Sequence, residues 1–555
     1  IGPNPEAIDE MGSKSNAKSL MQKHNVPTVP GYQGDDQSEE RLVKEAKAIG
    51  FPLLLKATAG GGGKGMRIVN TVEQLPDAIA AAKREAQSAF GDDELIIEKY
   101  IEKGRHIEFQ IFGDQYGNAI HLLERECTIQ RRYQKVIEES PSPVMTDELR
   151  TAMGVASVNA AKALKYDNAG TVEFIYDDKT GDFYFLEVNT RLQVEHPVTE
   201  EITGLDLVRM QIESARGLPL SIEQAEVTGT GYAIEVRLYA ENPANDFLPE
   251  TGMVTKFETP EVDDLRVESA IRSGSAISIF YDPMIAKIIV HDRDRTSAIH
   301  KMNYVLRNMI CLGIQTNQDF LIHLTEQADF ITGKYDTHYI ADKIDLDQFS
   351  IPVTTWINQA CIAASIDGWA RRNKNRRLLS NIPSGWRNSF YEGQKDIFVQ
   401  GESEVPLIYR YQDTTFDYSI GHDKYQVELI DVEVGKIRLS LNGLQSTFGI
   451  AQSGENYFIQ NEEFGTIKLS KKARLPLREK EEVDGGYIAP MPSQIIEILV
   501  QEGQDVEKGD ALMIISSMKM ENTIEAVEDG KVEAVMTIAG ANVEAGTVLL
   551  KITSK

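Results

Sequence analysis

The sequence predicts an α/β and α+β body, then a β-barrel wrapped on a helix, then a small all-β unit. Three patterns predict it. From residue 34 to about 345, apolar strands alternate with amphipathic helices. Between 405 and 471, short strands of alternating polarity with Gly, Asp and Asn turns follow one helical stretch, Pro352 to about Arg372. Residues 487–555 hold a duplication with a shift of 37 residues, which aligns Gly503 with Gly540, Val506 with Val543, Gly509 with Gly546, Leu512 with Leu549 and Ile515 with Ile552. A repeated unit of strands and Gly-marked turns implies a flattened barrel or sandwich with pseudo-two-fold symmetry.

In chain order, Pro5 to His24 carries a helical pattern closed by Val26-Pro27. A helix around 38–49 leads to a buried strand Phe51–Lys56, a glycine loop, the strand Met66–Val69, a helix over 72–90 and the strand Leu95–Tyr100. The charged stretch Lys471–Gly486 reads as a linker. The expected divisions are therefore a leading segment 1–33, an α/β unit 34–103, a larger body 104–345, the barrel domain 350–480 and the duplicated unit 487–555.

Bulk properties narrow the function. The 555 residues suit about three or four domains, and 41% hydrophobic with 26% charged residues is an ordinary globular balance. A net charge of −27 argues against nucleic-acid or anionic-membrane partners. The three cysteines, Cys127, Cys311 and Cys361, have neither metal-ligand spacing nor a disulfide framework, which points to a reducing compartment. We see no apolar run of eighteen or more residues.

Three places carry chemistry. In Lys56-Ala-Thr-Ala-Gly60-Gly61-Gly62-Gly63-Lys64-Gly65-Met66, glycine amides can close on phosphate oxygens while lysines add positive charge. The loop joins two strands, so it is neither a P-loop nor a dinucleotide fingerprint. The second place is the hairpin Thr171–Ile175 with Phe185–Asn189, turning at Lys179-Thr180-Gly181, which sets Glu173 opposite Glu187. Strict alternation beyond it would put Glu187, Asn189, Arg191, Gln193 and Glu195 on one face. Carboxylates and an amide oxygen there are hard ligands for a magnesium ion that also meets nucleotide phosphates. Arg191 offers a fork for a small oxyanion, and Glu195 a general base. The third place is Ser516-Ser517-Met518-Lys519-Met520-Glu521-Asn522, where a lysine between methionines falls in the turn between the two repeats, exposed for a modifying enzyme.

That last segment resembles a biotinyl domain, with Ser517 where the family usually has alanine and with Ala489-Pro490-Met491-Pro492 upstream. Met11-Gly12-Ser13-Lys14, the glycine loop, Glu98-Lys99-Tyr100, Arg105-His106, Glu124-Arg125-Glu126-Cys127, Gln130-Arg131-Arg132 and Asn189 to Glu195 resemble, in this order, biotin carboxylases of the ATP-grasp superfamily over about residues 1–345. The whole chain is thus similar to the α subunit of an acyl-CoA carboxylase.

The resemblance implies roles for individual residues. Lys14 and Lys56 would neutralise ATP phosphates under a lid formed by Gly60, Gly61, Gly62, Gly63 and Gly65. Glu98, Lys99 and Ile101 would form the hinge against adenine, with His106, Gln130 and Tyr133 also lining the nucleotide site; Tyr133 stands where the family often has histidine. Glu173, Glu187 and Asn189 would hold Mg²⁺ or Mn²⁺. Arg191, Gln193 and the backbone of Val194 would cradle bicarbonate while Glu195 removes its proton. Lys135 would stabilise the phosphoryl intermediate, carboxyphosphate, and Arg266 the enolate-like form of biotin carried on Lys519. The implied partners are a biotin protein ligase and a carboxyltransferase β subunit in an α6β6 assembly docked through residues 350–480, since about 140 residues are too few for a TIM-barrel transferase of ~250. The tract Pro383-Ser384-Gly385-Trp386-Arg387-Asn388 tilts the expected substrate toward propionyl-CoA, with acetyl-CoA and 3-methylcrotonyl-CoA as alternatives, although Trp386 also reads as barrel core. The family pattern has an α/β domain of about 100 residues ahead of Ile1, so a truncated front is expected. The acidic chain leans toward a bacterial cytosol, with the mitochondrial matrix as the alternative. A non-catalytic carrier and scaffold, or an ATP-grasp ligase fused to a lipoyl domain, stay open from the residues alone.

Overall fold

A computed structural model describes residues 1–58, 66–132, 134–349, 352–378, 382, 384, 386, 388, 392–412, 414–475, 486–518 and 520–554. The glycine loop 60–65, Tyr133, most of 471–486, Lys519 and the Pro383, Gly385 and Arg387 positions of the tract lie outside this set, as does the side chain of Lys14.

The leading helical pattern is two helices, Pro5–Gly12 and Lys14–Lys23, because Ser13 is extended and its hydroxyl accepts the Asn16 N–H at 3.4 Å. A four-stranded sheet follows in the order Gly31–Tyr32, Leu95–Lys99, Leu53–Ala57, Met66–Val69. The helices Glu39–Ile49 and Leu75–Phe90 bury Leu42, Ala46, Ile79 and Ala82 against its Leu53, Leu55 and Ile97. The helix expected from 72 opens as a 3₁₀ turn, Val72–Gln74, ahead of Pro76 near its start.

The body is an eight-stranded antiparallel sheet in the order Leu265–Ser269, Met284–Asp292, Tyr232–Tyr239, Gln134–Ser140, Ala119–Arg131, Gly104–Gly113, Asn168–Asp177, Phe183–Asn189. Period-two alternation divides its strands. Ile107, Phe109, Ile111, Val172 and Phe174 pack on the first two helices and on Asp147–Ala163, a helix capped by the Thr146 hydroxyl. Ile234, Val236, Leu238, Ile288 and Val290 pack on Arg295–Asn308 and Gln318–Glu326. The intervening residues His106, Glu108, Gln110, Thr171, Glu173, Glu235, Arg237 and Lys287 turn to the opposite face, over which the helix His196–Thr203 lies.

A closed barrel of eight strands runs from Gln394–Gln400 to Gly465–Lys471, so it opens earlier than the 405 read from sequence. The helix Thr354–Lys374 fills it, burying Ala360, Ile362, Ala363, Ile366 and Trp369 among Phe398, Leu407, Phe416 and Phe448. Trp386 is 60% exposed, which excludes it from that core.

The barrel is seated on the body. Ile310 and Leu312 pack with Ala451 and Phe458, Arg307 donates to the Glu462 carbonyl at 2.7 Å, and Gln460 donates to the Arg307 carbonyl at 2.9 Å. Asp319 accepts the Thr466 N–H at 3.1 Å through Oδ2, while its sealed Oδ1 has no partner. Burial pushes this carboxyl up to about 6 from 3.8. A raised folded-state pKa means that stability is lost as pH rises through it. Asp319→Asn is therefore expected to stabilise the protein by roughly 1–3 kcal/mol at pH 8 and to change little at pH 4, read by thermal unfolding. An equal effect at both pH values would remove the charge as its cause.

The terminal unit is two facing four-stranded sheets. Its symmetry extends to single hydrogen bonds. Gly503 and Gly540 both adopt positive φ and donate to the Val532 and Ile495 carbonyls at 2.8 and 2.7 Å. Gly509 and Gly546 do the same toward Ala526 and Ala489, both at 2.8 Å. Only glycine takes these turns without strain.

Candidate active site

The polar face of the body sheet converges on Lys135. Its ammonium lies 2.6 Å from Glu108 Oε2, 3.3 Å from Glu173 Oε1 and 2.5 Å from Glu195 Oε1. Burial opposes the charge on Lys135, but Cys127, Glu108, Glu195 and Glu173 together raise its pKa. Glu195 is 1% exposed, and its second oxygen meets the Arg237 guanidinium at 3.0 Å. Burial and Glu108 push the Glu195 pKa up, while Lys135, Arg237 and Arg125 outweigh them and hold it below the usual carboxylate range. A buried, ionised carboxylate between two cations is a positioned proton acceptor.

Alternation along the strand does not carry Glu195 to this place. The strand ends at Asn189, and Glu195 stands at the start of His196–Thr203, where Pro197 sets the first helical turn and Gly204 ends the last. The polar residues still converge through the loop. Arg191 donates to Gln193 Oε1 at 2.6 Å and to Asn189 Oδ1 at 3.3 Å. Gln193 and Asn189 donate to Glu173 Oε1 at 3.0 and 2.7 Å. The Val194 carbonyl accepts from Lys287 at 2.9 Å.

Glu173 and Glu187 are direct cross-strand partners, as the hairpin spacing requires, and Asn189 pairs with Thr171. Glu173 is buried and Glu187 is exposed. His106 Nε2 lies 2.9 Å from Glu173 Oε2. Burial works against the imidazolium, yet the Glu173 charge prevails and raises its pKa. His106, Glu108 and Glu173 bring ligand atoms within 4.8 Å of one another, as do Glu108, Cys127 and Glu195. The donor set Glu173, Glu187 and Asn189 fits a hard divalent cation in kind, with Glu173 kept ionised by Lys135 and His106. Asn189 currently presents its amide nitrogen to Glu173, so ligation would require the amide to turn over.

On the smaller sheet, Glu98 takes both Lys18 at 2.8 Å and Lys56 at 2.5 Å, which ties the two inner strands to the helix Lys14–Lys23. Lys99 donates to the Phe51 and Gly50 carbonyls, a role within the sheet. Ile101 follows that strand, and Gln130 donates to the Cys127 carbonyl at 3.5 Å. Arg266 lies across the sheet from these groups, held by Glu200 at 2.8 Å, Glu201 at 3.2 Å and Glu268.

Sequence reading missed four residues of this constellation. Arg125, with no exposed surface, binds Glu108, Gln110, Thr171 and Thr199 and is the buried counter-charge of Glu108. Glu108 faces both cations. Arg237 bridges Glu138 and Glu195. Lys287 ties Val194 to Glu268. The available signal was charge inside otherwise apolar strands, as in Ile234-Glu235-Val236-Arg237-Leu238 and His106-Ile107-Glu108-Phe109.

In the terminal unit, the strands Ala511–Ser517 and Met520–Glu525 close with Ser517 opposite Met520. Lys519 itself lies outside the described residues.

Known proteins match along the whole chain. Residues 13–223 match the family described as carbamoyl-phosphate synthase L chain, ATP binding domain. Residues 235–342 match the biotin carboxylase C-terminal domain, and 487–552 the family described as biotin-requiring enzyme. The mouse mitochondrial methylcrotonoyl-CoA carboxylase subunit alpha is 39% identical over 560 residues, 98% of this chain and 77% of that protein. The human mitochondrial propionyl-CoA carboxylase alpha chain is 37% identical over 591 residues, 100% of this chain and 78% of that protein. Biotin carboxylase from Campylobacter jejuni, solved with a β,γ-ATP ligand, superposes with a TM-score of 0.58 at 44% identity, covering 61% of this chain and 76% of its own. The biotin carboxylase domain of Hydrogenobacter thermophilus 2-oxoglutarate carboxylase, solved with MgADP and bicarbonate, gives 0.58 at 45% identity, covering 61% and 75%. With this fold, this charged site and these relatives, the chain belongs to the family of biotin-dependent acyl-CoA carboxylase α subunits, a biotin carboxylase joined to a biotinyl domain.

Proposed function

We propose that the body carboxylates biotin borne on Lys519, using ATP and bicarbonate, and that a separate carboxyltransferase β subunit passes the carboxyl group to an acyl-CoA. The observation that carries this reading is the buried Glu195 carboxylate gripped by Lys135 and Arg237. Glu195 takes the bicarbonate proton, and Arg191, Gln193 and the Val194 backbone orient the anion. Lys135 offsets negative charge that builds on the transferring group, and Arg266 does so for the biotin ring. Glu173, Glu187 and Asn189 hold Mg²⁺ or Mn²⁺, which when bound neutralises phosphate charge. Lys14, Lys56, the glycine loop, Glu98, Lys99, Ile101, His106, Gln130 and Tyr133 bind the nucleotide. The tethered arm replaces diffusion by linker reach.

The acyl group is propionyl in our reading, with the acetyl and methylcrotonyl types as the alternatives; the mouse methylcrotonoyl relative named above lends the last of these its weight. Biotin protein ligase modifies Lys519, and the complex with the β subunit is α6β6. The three cysteines are free and buried, in keeping with a reducing compartment, and the mouse and human relatives are mitochondrial. No described helix is long and apolar enough to cross a membrane.

The test uses the full-length subunit purified with its β partner. We expect bicarbonate-dependent ATP hydrolysis stimulated by free biotin, and avidin capture that Lys519→Arg abolishes. Turnover of propionyl-, acetyl- and methylcrotonyl-CoA then ranks the substrates, and sedimentation gives the stoichiometry. Avidin capture that survives Lys519→Arg would overturn the carrier assignment.

A further inference from the structure

Met518, the residue before the proposed biotinyl lysine, is 2% exposed at the end of a hairpin, where a side chain would ordinarily meet water. It does not belong to the apolar core of its own domain, which is built from Ile495, Val506, Leu512, Ile515, Val532, Leu549 and their neighbours. Its backbone has φ of 45°, and its N–H donates to the Ile279 carbonyl at 2.9 Å. Beside it, Ser517 is 1% exposed with a hydroxyl that has no partner among the described residues. The tip is therefore covered from outside its domain, by the body segment that contains Ile279.

That segment runs into a strand of the candidate active site. It precedes the strand Met284–Asp292, whose Lys287 binds the Val194 carbonyl and pairs across the sheet with Arg237 and Glu268. Met284 and Lys287 are three residues apart, about 10 Å along a strand. Phe280 and Tyr281, which follow Ile279, are 67% and 77% exposed. Both stay open with the hairpin in place, so they flank the contact at the Ile279 carbonyl, where a change of charge would be felt by the seated tip.

We propose that the segment at Ile279, flanked by Phe280 and Tyr281, forms the dock on which the chain's own carrier hairpin seats while its arm is loaded. The main-chain bond from Met518 to Ile279 sets the register without reading a side chain. Loading thus occurs within one chain. This inference rests on the proposed biotin carboxylation, and two measurements keep the two apart.

The first measurement needs no catalysis. In the full-length protein with its β partner, Ile279→Cys together with Met518→Cys should give an intrachain disulfide on mild oxidation, in a yield independent of protein concentration over a tenfold range. Either single variant, or Ile279→Cys paired with Val527→Cys in another loop of the carrier domain, should not. An interchain product, or equal yields from both pairs, would overturn the dock. The second measurement is kinetic. Phe280→Asp with Tyr281→Asp should leave ATP hydrolysis stimulated by free biotin within about twofold, and lower transfer of labelled bicarbonate onto the attached biotin at least tenfold. A parallel fall of both rates, or no fall in the second, would overturn it. Absence of biotin-stimulated hydrolysis in the unsubstituted protein would instead sink the proposed reaction and leave the disulfide result to decide the dock.

Discussion

Glu195→Gln is expected to lower bicarbonate-dependent ATP hydrolysis by about two to four orders of magnitude while the protein stays folded. The substitution keeps the shape of the side chain and removes its charge and basicity. Lys135 retains Glu108 and Glu173 as partners and Arg237 retains Glu138, so the surrounding network keeps its other pairs. The native pKa of Glu195 is lowered, chiefly because Lys135 and Arg237 outweigh its burial and the nearby Glu108. The sign follows from linkage. A depressed folded-state pKa contributes stability above the unfolded value, and that contribution is lost as pH falls through the folded one. The acid limb of kcat/KM assigned to Glu195 should accordingly lie below the ordinary glutamate range, about 4.3, and should vanish in the variant. Retention of more than a tenth of the activity by Glu195→Gln would exclude it as the base.

Lys135→Met is expected to damage both activity and stability. Removing one partner from a buried charge network typically costs ~3–5 kcal/mol, and here three carboxylates, Glu108, Glu173 and Glu195, would lose the same cation. Without it their pKa values should rise, so the variant should bind protons on folding that the native protein does not. The stability gap between variant and native protein should therefore be widest near pH 8 and narrow toward pH 5, as measured by urea unfolding at both. Biotin-stimulated ATP hydrolysis should fall at least a hundredfold at either pH. A gap of constant size across this range would mean that Lys135 packs rather than neutralises.

The parts of the fold that were legible in sequence are those set by local periodicity. The strand Met66–Val69 begins and ends where its apolar pattern does, and the glycine pairs of the terminal repeat make matching hydrogen bonds. The hairpin register that faces Glu173 with Glu187 was likewise fixed by a short turn. Misreadings arose where one residue ended an element. Ser13 splits a helical pattern by capping its second half. Pro197 starts a helix at the point where alternation alone would have continued a strand to Glu195.

Within the candidate site, Glu195 and Lys135 were legible through their motifs, and the other counter-charges were not. Glu195 stands out in a run of polar residues, whereas Arg237 is one charge in an apolar strand 42 residues away. Glu108 and Arg125 look like ordinary strand charges until the sheet places them against each other, fully buried, at 2.6 Å.

By itself, the amino-acid order showed the alternation of strands and helices, the duplicated carrier sequence with Met518-Lys519-Met520 between its halves, and the kind of chemistry to expect. Only the tertiary structure decided which cations hold Glu195 ionised, which carboxylates surround Lys135, and where the carrier tip rests on the body. The physical reason is that buried charges and docking contacts are satisfied across strands and between domains, where partners are set by sheet register and packing. Periodicity, capping and turn chemistry act within a few residues and are therefore readable along the chain.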